Sequence, residues 1–170
     1  MRHRAMICVF LLVSMGCKNA VNKTVTKQER RDLVLALDKF KNAIYSGNSN
    51  SINTFIPKQI LRDHYFETND VVTNCKGFFE HIDINGLNTS DSISGRNSKK
   101  EKPCMESFSI FVAADSVTFA FKMEANPNYI MTRKDLDDEL DQSSLCEHII
   151  WYNFKIVQGK LILTSLGGAD

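Results

Sequence analysis

The hydrophobic period of this chain changes midway, from a helical repeat to strict alternation. A stretch with apolar residues every three or four positions buries one stripe of a helix. A stretch alternating apolar and polar buries one face of a strand. A chain that does the first and then the second has to lay helices against a sheet, so the class it specifies is α+β.

The helical part opens at Thr26, with Glu29 three positions on, the form in which a hydroxyl and a carboxylate satisfy each other's backbone donors. Leu33, Leu37, Phe40 and Ile44 follow at helical spacing with Ala36 and Ala43 beside them, and Gly47 is a natural stop. The spacing predicts a helix over 27–46. A shorter helix is expected from Pro57, carrying Ile60, Leu61 and Tyr65, because proline suits a first helical turn. Val71, Val72, Cys75, Phe78, Phe79 and Ile82 predict a third over 69–82.

The alternating part holds Phe108, Ile110 and Val112, interrupted by Phe111, then Val117, Phe119, Phe121 and Met123 against Thr118, Ala120, Lys122 and Glu124. These are half-buried strands. From Glu147 to Leu166 a long hairpin is expected to turn at Gln158 and Gly159, pairing Val157 with Lys160, Ile156 with Leu161 and Phe154 with Leu163. On its second face Trp151 and Leu166 are expected to meet. Between the halves, residues 85–103 offer only Leu87 and Ile93 as large apolar residues, and a mobile polar loop is expected there. The acidic run at 133–142 lacks the glycine and terminal glutamate of a calcium loop, so a solvated segment is expected and no metal site.

Ahead of this domain lies a leader. Arg2 and Arg4 precede an uncharged run from Ala5 to Met15. A membrane-spanning helix needs a stretch of roughly 20 residues, and this run is well short of it. Ser14 and Gly16 are the small residues a signal peptidase tests, so residues 1–16 read as a signal peptide. The stretch Leu12 to Cys17 resembles the lipobox of bacterial lipoproteins, with Ser14 standing where that family commonly has leucine. The resemblance implies that Cys17 is acylated after cleavage, that 17–25 is a lipidated cysteine and tether, and that 26–170 is a single domain. Lys18, where an aspartate commonly signals inner-membrane retention, implies an outer-membrane anchor facing the periplasm. Without acylation the same leader implies secretion. With two or three acyl chains, each CH₂ contributing about 0.8 kcal/mol, the membrane is the first partner expected.

Charge excludes another class. Of the 21 Lys and Arg residues, Arg2 and Arg4 leave with the leader, and the remainder falls one short of the 20 Asp and Glu. A nucleic-acid partner is not expected from a chain without a basic footprint. The chain has 170 residues, of which 43% are hydrophobic and 24% charged. That length and balance suit one globular domain.

Beyond Cys8 and Cys17, three cysteines remain, Cys75, Cys104 and Cys146, which allow one disulfide with three pairings. Cys75 falls on the apolar stripe of the third helix. In a plain meander the strands after Cys104 and Cys146 run alike with one strand between them, about 9.5 Å apart. That exceeds the Cα separation of about 7 Å a disulfide tolerates, so a Cys104–Cys146 bond is expected only if the meander is broken.

The segment Asp38 to Ile52 is similar to the first helix and turn of the NTF2-like (SnoaL and ketosteroid-isomerase-like) superfamily, and Trp151 to Leu163 resembles its closing hairpin. That resemblance implies N-terminal helices packed on a curved antiparallel sheet, a cone with a pocket at its open end. Phe119, Phe121, His148, Ile150, Tyr152, Phe154 and Leu163 are the residues expected to line it. Such folds host enzymes and binding modules alike. Isomerases of the superfamily place a carboxylate or a histidine–aspartate pair in the cone, and His64, His81 and His148 are the histidines on offer here. None sits in a matching motif, so no catalytic residue, cofactor or metal is assigned. The expected function is non-enzymatic binding of a small apolar ligand or an envelope protein, the alternative being a lyase or isomerase using a histidine–carboxylate pair.

Overall fold

The computed structural model describes residues 25–63, 67–97, 99, 102–113, 115–130 and 146–169. The leader, Cys17, His64 and the acidic run at 133–142 lie outside them. Among the described residues four helices precede five strands: α1 Lys27–Ser46, α2 Ser49–Asn53, α3 Lys58–Asp63, α4 Thr68–His81, then β1 Ser92–Asn97, β2 Cys104–Ala113, β3 Ser116–Ala125, β4 His148–Val157 and β5 Lys160–Ala169. The strands form one antiparallel sheet in sequence order, and the helices pack on one of its faces. This is the α+β class that the change of period requires.

Helix α1 begins and ends for the reasons its sequence supplies. The Thr26 hydroxyl accepts from the Glu29 N–H at 3.2 Å while the Thr26 N–H donates to the Glu29 carboxylate at 2.8 Å. Gly47 closes it at φ 66°. That is the left-handed region open to glycine. Between these caps Leu33, Leu37, Phe40 and Ile44 are buried to 1% exposure or less. Helix α3 starts directly after Pro57, and Tyr65 lies outside the described residues. Helix α2 has no apolar period, which is why the sequence does not announce it. It forms because the Asn48 side chain caps Asn50 and Ser51 and because Ile52 reaches the core.

Three expectations are corrected. The first concerns residues 85–103, which are not one loop: a 3₁₀ turn spans Ile84–Asn88 and β1 spans Ser92–Asn97. The composition misleads because an edge strand contributes few side chains to a core. What fixes this segment is Arg30 of α1, whose guanidinium donates to the Leu87 and Ser90 carbonyls and pairs with Asp91. These partners are far from Arg30 along the chain, beyond the reach of local pattern.

The second concerns the closing hairpin. Its turn is as expected, with Gln158 and Gly159 both left-handed and Val157, Ile156 and Phe154 opposite Lys160, Leu161 and Leu163. Past that point a bulge between Asn153 and Phe154 leaves Thr164 without a ladder partner of its own. Every later residue of β5 therefore changes face. Leu166 lies opposite Tyr152 and is 3% exposed, and Trp151 faces Gly167 instead. Trp151 lies across β5 so closely that a Cβ on Gly167 would sit 2.6 Å from its ring.

The third concerns the disulfide. The meander is unbroken, yet Cys104 and Cys146 are bonded with Cα atoms 5.4 Å apart. The two-strand spacing applies to residues that stay in the sheet. Cys104 is paired with Ala125, but β4 starts only at His148, so Cys146 lies outside the ladder and turns across the end of β3 to reach Cys104.

Candidate functional site

The inner face of the sheet is a set of cross-strand rows. One row runs Ile110, Phe119, Tyr152 and Leu166, and the next Phe108, Phe121, Ile150 and Gly168. A further row, at the end where Cys104 and Cys146 lie, holds Glu106, Met123 and His148. Alternation alone assigns these residues to one face, and it does so correctly for β2, β3 and β4.

What occupies the space above those rows is aromatic. Phe40 of α1 meets Phe154 at 5.1 Å, Phe55 at 5.3 Å and Phe79 at 5.9 Å between ring centres, and Phe78 of α4 meets Phe119 at 5.0 Å. Of the residues expected to line a pocket, Phe119, Tyr152, Phe154 and Leu163 are fully buried in this core and Ile150 is buried beside them. The space over the rows that hold them is filled. The Tyr152 hydroxyl, the polar atom among them, accepts from the Asn74 amide of α4 at 2.7 Å. Burial, partly opposed by that hydrogen bond, holds its phenol well above the usual range, and burial does the same to the Cys75 thiol.

Phe121 and His148, the other two expected lining residues, are half-buried nearer the cysteine-bridged end. His148 lines a cavity of about 270 Å³ with Lys122, Met123, Glu124, Glu147 and Ile149. Within it Lys122 donates to Glu124 at 2.8 Å, and this bond holds the Glu124 carboxyl below its ordinary range. His81, at the end of α4, stacks on Phe108 with ring centres 4.9 Å apart. The carboxylate sharing an inner row with His148 is Glu106, which accepts from Asn97 at 2.8 Å, and the Met123 strand runs between them. No group of three or more His, Cys, Asp or Glu residues able to hold a metal occurs among the described residues.

A second cleft, of about 350 Å³, lies at the opposite end, between α1 and the turns of the sheet. Leu33, Leu35, Val112 and Ile156 give it an apolar lining, and Glu29, Asp32, Asp115 and Lys39 surround them. Sequence reasoning missed this cleft. Its signal was Leu35, an apolar residue off the buried stripe of α1, which is 57% exposed.

No protein-family model, no curated protein and no solved structure matches the chain.

Proposed function

We propose that this chain is a membrane-anchored lipoprotein of the cell envelope, acylated at Cys17, whose NTF2-like domain binds a small apolar ligand or a protein partner without catalysing a reaction. The observation that carries the reading is the Cys104–Cys146 disulfide. Disulfides persist in oxidising compartments and are rare where thiols are kept reduced. The leader ending at Gly16 and Cys17 gives an independent reason for the same compartment. No described helix is long and apolar enough to cross a membrane. On this reading the attachment is supplied by lipid on Cys17.

The packed interior supports binding over chemistry. Most of the side chains offered as a pocket are packed in one core with Phe40, Phe78 and each other, so a ligand or partner would meet the outer surface, where the two end cavities lie. Of the carboxylates near His148, Glu106 lies across Met123, while Glu124 and Glu147 line its cavity, with Glu124 held by Lys122. N-terminal helices packed on an antiparallel sheet agree with the coarse arrangement that the NTF2-like resemblance implies.

The test is fractionation of a Gram-negative host expressing the full chain and its Cys17→Ser variant. The native protein is expected with membranes, with a mass increased by acyl chains on a new N-terminus at Cys17. The variant is expected to lose both. A native protein recovered in soluble form with an unmodified Cys17 would sink the anchored reading and leave secretion.

A further inference from the structure

The cleft beside α1 stands where the chain enters the domain. Val25, the first described residue, is itself part of its lining. From there α1 runs along one wall, and Glu29 to Lys39 covers about 15 Å of it at the helical rise. The opposite wall is the end of the sheet, with Val112, Ala113, Asp115, Ile156 and Gly159. The lining mixes apolar side chains with three carboxylates, Glu29, Asp32 and Asp115, against the single ammonium of Lys39. Leu35 stays 57% exposed on this wall. It is an apolar surface that no described residue covers.

The residues leading into Val25 are complementary to that cleft. Lys18 to Thr24 contains Lys18 and Lys23, with Ala20 and Val21 between them, and no acid. An extended segment from Val25 back to Val21 spans about 13 Å, close to the length of the wall. Laid along α1, it brings Val21 to Leu35 and Lys23 among Glu29, Asp32 and Asp115. Being joined directly to the cleft, it competes for it at the high effective concentration of a short linker.

We infer that the cleft is a docking groove for the chain's own tether, residues 18–24, with Val21 on Leu35 and Lys23 among the carboxylates. Docking sets how far the domain stands from whatever holds Cys17. With residues 21–24 seated, only Cys17 to Val21 is free, a reach of about 13 Å, roughly half that of the released tether. The groove is thus a length control on the anchor. It operates whether or not Cys17 carries lipid, so its failure leaves the lipoprotein reading standing, and the converse also holds.

The experiment is limited trypsin digestion of the full chain, following cleavage after Lys23 relative to Lys18 by fragment mass. Leu35→Gln alters an exposed residue of the groove, and Val21→Ser alters the tether without touching the domain. Thermal unfolding of both variants confirms that the domain is intact. Cleavage after Lys23 is expected to be about tenfold slower in the native chain than in either variant, because proteolysis follows the population of the released state. Equal rates in all three chains would overturn the inference. So would a Leu35→Gln variant that loses binding of an added basic peptide while cleavage at Lys23 stays unchanged, since the groove would then belong to another chain.

Discussion

Tyr152 shows what a single side chain contributes in this core. Its ring is fully buried between β3 and β5, and its hydroxyl accepts from the Asn74 amide at 2.7 Å. Burial raises the phenol above its ordinary value of 10.0 and the Cys75 thiol above 9.0. A group whose folded value is raised contributes its full stability below its unfolded value and loses it as pH climbs toward the folded one. Urea midpoints are therefore expected to hold steady up to about pH 9 as far as these two groups are concerned, and to fall above it. Tyr152→Phe removes a hydrogen bond worth about 1 kcal/mol at neutral pH, but it also removes the part of the alkaline decline that starts near pH 10. Identical declines in the native chain and the variant would show that Tyr152 is not the group that titrates. Burial of this residue was legible in the sequence, since Tyr152 alternates with Trp151 and Asn153. The partner was not, because Asn74 lies in a helix 78 positions away. Local period tells which way a side chain faces and is silent on what it meets there. For the same reason a list of inward residues on β3, β4 and β5 reads equally well as a pocket or as a core. The difference is made by Phe40, Phe78 and Phe79, which arrive from the helices.

The elements follow the sequence as far as each periodicity persists. Helix α1 was legible at both ends because its caps are local chemistry. The hairpin turn was legible because Gly159 supplies one of its two left-handed positions and the apolar residues on either side set the register. The bulge at Thr164 was not legible, since one inserted residue leaves the composition of β5 unchanged while reversing every side chain beyond it. The two arrangements differ in a measurable way. In a regular hairpin Leu166 would lie beside Trp151 on the outer face, and Leu166→Ser would change stability by no more than about 0.5 kcal/mol. With the bulge, Leu166 is 3% exposed against Tyr152. The same substitution is then expected to cost about 2–4 kcal/mol. Deletion of Thr164 is the complementary variant. It removes the extra residue, restores a regular ladder and keeps Leu166 opposite Tyr152, so it should cost less than Leu166→Ser. Denaturant midpoints of the two variants against the native chain decide between the registers.

At the scale of the whole molecule the Cys104–Cys146 bond joins what the sheet alone keeps apart. The two cysteines are 42 positions apart, and the chain between them includes β3 and most of residues 126–147, which separate β3 from β4. Closing a loop of that size in the unfolded chain stabilises the fold by about 4 kcal/mol in the chain-entropy account. That is a large share of the roughly 5–15 kcal/mol typical of a domain. It matters here because the remaining ladder links across that end are few among the described residues. Met123 opposite His148 is the last ladder pair of β3 with β4, while β3 continues against β2 as far as Ala125 opposite Cys104. The double variant Cys104→Ser, Cys146→Ser is therefore expected to lose about 4 kcal/mol in denaturant unfolding, as is the native chain under reducing conditions. The loss should appear first as hydrogen exchange at the start of β4, while α1 and the β4–β5 turn keep their protection. Uniform loss of protection would mean that the bond acts only through the unfolded chain. Unchanged stability would mean that the bond contributes nothing to holding the domain together.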